Sequence, residues 1–176
     1  MKGIILALFT LIASSGIYLY HHLIEGPVQC LIPQNYHGEI IIIYDQPHGA
    51  PEEYNGNSRV YRIPSNGILF TQFSPEDNSL DQQYFYLSPG GLKKKIMPVS
   101  TAEFNEPWSY IKNPNEPSRT ETMVIDGGSI WTSMSAHHHY DYQHAFVGSY
   151  RQFGSYRGYL FSYIDSLVEN LNASNK

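Results

Sequence analysis

Four consecutive isoleucines, Ile40 to Ile43, followed by Tyr44, set the strongest limit on what this chain can fold into. β-Branched side chains lose rotamer freedom in a helix and fit the pleated surface of a strand. Side chains of a strand alternate between its faces, so isoleucine at four successive positions is apolar on both. The segment reads as a central strand covered from both sides. Around it, 14 Gly and 11 Pro cut the chain into short apolar runs. Residues 28–32 form one run, stopped by Pro33. Residues 58–63 and 68–73 flank Pro64-Ser65-Asn66-Gly67, residues 83–87 and 92–99 flank Ser88-Pro89-Gly90-Gly91, and residues 120–125 and 129–134 flank Asp126-Gly127-Gly128. Each pair predicts an antiparallel hairpin, because Pro presets φ at a corner and Asn-Gly or Asp-Gly tolerates positive φ.

The period changes only near the end. Tyr156, Leu160, Tyr163, Ile164, Leu167, Val168 and Leu171 recur at steps of three and four. That spacing predicts an amphipathic helix starting near Ser155 and docking Leu160, Ile164, Leu167 and Leu171 on the β core. With no β-α-β alternation, the fold class is mainly β: an antiparallel β-sandwich with a C-terminal helix.

At the other end, Lys2 precedes an uncharged run over residues 3–24, and the first acid is Glu25. A positive start before an apolar stretch is the pattern of an export signal. Ala13-Ser14-Ser15 offers a cleavage site, while Ile17-Tyr18-Leu19-Tyr20 extends the run to the roughly 20 residues of a spanning helix. Residues 1–25 are thus a signal peptide or membrane anchor, and 26–176 the folded domain. Its expected place is the cell envelope: anchored in the inner membrane through residues 3–24 and facing outward, or secreted if cleaved. A formal charge of −5 argues against a broad basic face for nucleic acid. The lone cysteine, Cys30, excludes an intramolecular disulfide and reads as a strand-buried thiol.

Residues 42–47, Ile-Ile-Tyr-Asp-Gln-Pro, are followed by Pro51, Glu53-Tyr54, Arg59-Val60-Tyr61-Arg62-Ile63-Pro64, Gly67-Ile68-Leu69 and Thr71-Gln72-Phe73. This string resembles a family of small exported bacterial proteins of unknown function. Ile32-Pro33-Gln34-Asn35-Tyr36-His37-Gly38 fits the same opening, and Phe146-Val147-Gly148 echoes it later. The resemblance implies a bacterial source, a signal or anchor segment and a mainly β domain; it implies no activity. Many members look like lipoproteins, but Gly26-Pro27-Val28-Gln29 before Cys30 is not a lipidation motif. The Ile-Pro-x-x-Gly corner is also similar to transthyretin-like modules, an analogy of fold alone.

Chemistry-bearing residues gather in four places. His137-His138-His139-Tyr140-Asp141-Tyr142-Gln143-His144 is the densest set of metal-ligand types. On a strand, His137, His139 and Asp141 share a face, and His144 could join from beyond. Asp45, Glu53, Arg59 and Arg62 read as a structural network, with Asp45–Arg59 or Glu53–Arg62 ion pairs pinning a loop. Lys93-Lys94-Lys95 reads as an edge strand kept from aggregating. Trp108 and Tyr110 lie in a Pro- and Asn-rich stretch where Asn105-Glu106-Pro107 recurs as Asn115-Glu116-Pro117; they cap the core or form a recognition surface. No Gly-x-Ser-x-Gly elbow, phosphate loop or dinucleotide motif occurs, so catalytic residues stay unassigned and no cofactor is expected. Two readings follow: a non-enzymatic envelope module binding a protein, peptide or glycan, or a small metal-dependent enzyme centred on His137, His139, Asp141 and His144.

Overall fold

The structure, a computed structural model, describes residues 26–75, 82–106, 108–134, 139–156 and 161–174. The N-terminal segment 1–25, His137 and Leu160 lie outside the described residues. One sheet contains β1 (Val28–Pro33), β3 (Tyr54–Asn55), β4 (Ser58–Arg62), β6 (Gln82–Leu87) and β7 (Lys93–Ile96), in the order β3-β4-β1-β6-β7. The second contains β2 (Gly38–Ile43), β5 (Ile68–Phe70), β8 (Pro98–Val99), β9 (Met123–Ile125) and β11 (His139–Gly148), in the order β5-β2-β11-β9-β8, with β10 (Ile130–Met134) also on β11. Cys30, Ile32, Tyr61, Tyr84 and Ile96 of the first sheet share one core with Ile40, Ile42, Leu69, Val124, Ala145 and Val147 of the second.

The expected all-antiparallel arrangement is corrected. β1 runs parallel to both its neighbours, β4 and β6. β2 runs parallel to β5, and β8 to β9. The cause is the path of the chain, which alternates between sheets: β1 in the first, β2 in the second, β4 back in the first, β5 in the second. Strands that re-enter a sheet after a detour through the other arrive in the same direction; β8 and β9 instead stay in one sheet and owe their parallel pairing to the long loop over residues 100–122.

The predicted hairpin over residues 58–73 is corrected for the same reason, although its turn is real. Gly67 N donates to Pro64 O at 2.9 Å, and Ile68 N donates to Asn66 Oδ1 at 3.1 Å. Gly67 has φ +82°, and a Cβ there would lie 2.0 Å from the Tyr36 hydroxyl, so only glycine fits. The arms part instead of pairing: Ile63 N donates to Leu31 O in the first sheet, while Gly67 O accepts from Ile41 N in the second, both at 2.9 Å. The β6–β7 hairpin forms, but its return arm, expected to reach residue 99, ends at Ile96, and Pro98–Val99 crosses to pair with β9 in the second sheet. The third predicted hairpin does not form. β9 and β10 both pair antiparallel with β11, Ile125 opposite Phe146 and Ile130 opposite Gln143. Residues 126–129 therefore face only two residues of β11 and form a bulge. Asp126 (φ 54°) and Gly128 (φ 106°) adopt the left-handed conformations that would also have served a turn.

One polar network crosses the core. The Gln143 and Gln82 side-chain amides exchange hydrogen bonds between sheets, at 2.5 and 3.0 Å. Tyr44 Oη donates to Gln143 Oε1 at 2.9 Å and Tyr84 Oη to Gln82 Oε1 at 2.5 Å, so these buried groups are mutually satisfied. Cys30, fully buried in β1, has its thiol pushed up to about 12 by desolvation.

Helices cover the outer face of the second sheet. α1 (Tyr150–Phe153) is one turn, capped by Ser149, whose Oγ accepts from Gln152 N while Gln152 Oε1 accepts from Ser149 N. α2 (Phe161–Ala173) lies over Ile41, Ile43, Ile68, Tyr140 and Tyr142 with Ile164 and Val168 buried and Leu167 partly so. The expected helix start at Ser155 is corrected: Ser155 Oγ donates to Gln152 O behind α1. Tyr140 Oη donates to Asp165 Oδ1 at 2.9 Å, tying α2 to β11.

Ile164 is 3% exposed. Ile164→Asp should lower unfolding stability by about 3 kcal/mol or more, because it buries a charge without a partner. Asn170→Asp, exposed on the same helix, should change it by less than about 0.5 kcal/mol. Urea unfolding of the two variants checks both.

Candidate functional site

β11 decides where the histidine cluster goes. Its alternation sends Gln143, Ala145 and Val147 into the inter-sheet core, with Asp141 and His139 continuing that face. Tyr140, Tyr142 and Phe146 face the helices, and His144 with them. His139 and Asp141 are therefore on one side of the sheet and His144 on the other. Asp141 Oδ1 accepts from Thr132 Oγ1 across the β10–β11 pair at 2.6 Å. His139 and Asp141 border a small hollow of about 210 Å³ beside Asp45 and Thr132. His144 borders a different one of about 380 Å³ with Trp131 and Asp126. Among the described residues no three His, Cys, Asp or Glu side chains group closely enough to hold a metal ion.

The acid–arginine set forms two linkages. Arg62 Nε and Nη2 donate to Glu53 Oε2 and Oε1 at 2.7 and 2.6 Å, a two-pronged pair that holds Glu53 below the usual carboxylate range. Both side chains are more than a third exposed, so the pair adds little stability. Asp45 and Arg59 meet through Ser74: Arg59 Nη1 donates to Ser74 O at 2.8 Å, and Ser74 Oγ donates to Asp45 Oδ1 at 2.7 Å. The Arg59 guanidinium lies 4.7 Å from the Phe73 ring centre. These contacts hold the loop after β2 against the one after β5.

The third set is better built. Trp108 is 75% exposed, Ile111 73%, and Tyr110 fully so. Beneath them sits Arg119, itself buried. Its Nε and Nη2 donate to the Glu116 carboxylate, Nη1 donates to Ser109 O at 2.5 Å and Glu106 O at 3.3 Å, and Nη2 to Ile111 O at 3.3 Å. Glu116, its side chain enclosed, also accepts from the backbone N–H of Asn105 at 3.3 Å and Asn113 at 3.1 Å. One ion pair thus gathers both ends and the crown of the loop. Tyr150 Oη, on α1, donates to Asn105 O at 2.9 Å, and its ring stacks on Phe104 at 3.9 Å. The sequence reading identified the aromatic tip and missed the clamp. The available signal was the repeated Asn-Glu-Pro, whose first glutamate supplies a carbonyl and second a carboxylate to one arginine.

The guanidinium beside Glu116 and two backbone N–H donors hold its carboxyl down at about 2, from an ordinary value of 4.5. A depressed folded-state value means that the charged form favours folding. The contribution is complete above about pH 4.5 and is lost as pH falls toward about 2. Urea midpoints measured across that window should fall in the wild type. Glu116→Gln should start lower and lose the part of the slope due to this carboxylate.

No protein of curated function matches the chain. A crystal structure of a Bacillus anthracis protein, provisionally named a lipoprotein, shares the fold with a TM-score of 0.55 at 12% identity, over 85% of this chain and 96% of that one. At that identity the likeness is one of architecture. The family of unknown function DUF6843 matches residues 26–153, from just before β1 to the end of α1, and the chain belongs to it.

Proposed function

We propose that this protein is an exported bacterial envelope domain, two sheets closed as a β-sandwich, that works by binding rather than catalysis. The tether is the apolar run over residues 3–24. Cys30 cannot carry a lipid in the folded domain, since its thiol is enclosed in the central strand of the first sheet. The likeness to a protein provisionally named a lipoprotein supports an envelope location, with the tether supplied differently here.

The observation that carries the binding role is the tip itself. Trp108, Tyr110 and Ile111 stand in water on a loop that an enclosed ion pair holds in one shape. Large apolar side chains gain free energy when covered, and a loop already ordered loses little conformational entropy on binding. Trp and Tyr are also the residue types that dominate protein-contact energetics. The favoured partner is an envelope protein or peptide; a glycan, which aromatic faces also accept, is the other outcome of the test.

Two experiments check this reading. A reporter active only outside the cytoplasm, fused after Lys176, should be active; inactivity at normal expression would sink the export claim. A photo-crosslinking amino acid in place of Tyr110 in the full chain should give a discrete protein adduct in whole cells, lost on Trp108→Ser and absent when the probe replaces exposed Glu121. Adducts that sediment with the cell-wall polymer would assign a glycan instead. No adduct of either kind would overturn the binding role.

A further inference from the structure

We propose that the open mouth between the two sheets at the β7 edge is an anion site that takes a phosphoryl group. It does not depend on what the aromatic tip contacts. The cavity there measures about 400 Å³, and it is lined on three sides by separate pieces of chain. The turn between β1 and β2 brings Asn35 and His37, the β6–β7 hairpin brings Ser88 and Lys94, and the approach to β9 brings Thr122. No carboxylate occurs among its described lining residues, in a chain of net charge −5. Three of the chain's 11 Lys and Arg residues, Lys93 to Lys95, border it.

Strand register sorts those three. Tyr84 pairs with Ile96 and Tyr86 with Lys94. Because Tyr84 and Ile96 belong to the inter-sheet core, Lys94 lies on the same inner face, one step further toward the mouth. Lys93 takes the outer face, where its Nζ donates to Gln29 Oε1 at 2.9 Å and lies 5.6 Å from the Phe85 ring centre. Lys94 and His37 are thus the cavity's own cationic and cation-capable groups. The solubility reading of an edge lysine accounts for Lys93 and Lys95 and leaves the inward Lys94 unexplained.

Two of the walls are tied to each other before any ligand arrives. Gln34 N donates to Leu87 O at 3.1 Å, and Tyr86 Oη donates to Tyr36 O at 2.7 Å, so turn and hairpin are bonded to each other. Ser88 Oγ accepts from Leu92 N at 3.0 Å, which leaves its hydroxyl proton to donate outward. Hydroxyl, amide, ammonium and imidazole groups on three walls suit a tetrahedral acceptor with several charged oxygens better than a planar carboxylate with two.

The test is a titration of the full chain in zwitterionic detergent, followed by the NMR shifts of the His37 ring. The probes are inorganic phosphate, glycerol 3-phosphate and glycerophosphoglycerol. Phosphate should saturate the shift. Lys94→Gln and His37→Asn should each weaken binding about fivefold or more, as loss of a charged hydrogen bond predicts, and Lys112→Gln, on the aromatic loop, should not. Tighter binding of the monoesters would assign a free phosphate ligand; equal or tighter binding of the diester would assign a lipid headgroup or a polymer phosphodiester. No saturation up to about 20 mM phosphate, a weak affinity limit, or an equal loss in Lys94→Gln and Lys112→Gln would overturn the proposal.

Discussion

Burial of β2 on both faces is the constraint from which the architecture follows. Ile40 and Ile42 need a second sheet across from them, and Ile41 and Ile43 need a cover behind. An isoleucine left in water forgoes roughly 1.5–3 kcal/mol, so two sheets and an outer helical layer are the least this segment requires. The inner cover comes from β1, β4 and β6. The outer one comes from Ile164 and Val168 of α2, more than 100 residues away in sequence. The lateral partners, β5 and β11, complete its hydrogen bonds.

That requirement explains why the chain keeps changing sheets. Each crossing places an apolar strand opposite the last instead of beside it, and the corner at Pro64 to Gly67 is one of these crossings. The glutamine pair Gln143–Gln82 then sets the two sheets in one relation, because sliding them would leave buried amides unsatisfied.

The candidate features lie at the margins of this core, and their legibility differs for physical reasons. Trp108 and Tyr110 stood out because aromatic residues in a Pro- and Asn-rich stretch have no strand to join. The Arg119–Glu116 clamp did not, since a charged pair in a loop reads as surface until the loop closes around it. Lys93 to Lys95 were visible as a run, but only register shows that Lys94 alone turns inward. The facing wall at Asn35 and His37 lies more than 50 residues earlier in sequence. The histidine cluster looked like one site because its members are neighbours in sequence, and strand alternation separates His144 from His139 and Asp141.

Legible from the chain alone were the mainly β class, the buried central strand, the β6–β7 hairpin, the turn at Gly67 and the apolar face of the C-terminal helix. All of these rest on local physics: side-chain shape, strand and helix period, and the φ that a turn demands. Tertiary structure alone decided which strands pair, that β1 runs parallel to both neighbours, that the Asp126 segment is a bulge along β11, and that Ser149 caps a separate turn of helix. A turn sequence specifies that the chain reverses, not whether its arms share a sheet. That choice depends on which arrangement buries both faces of Ile40 to Ile43, a property of the whole chain.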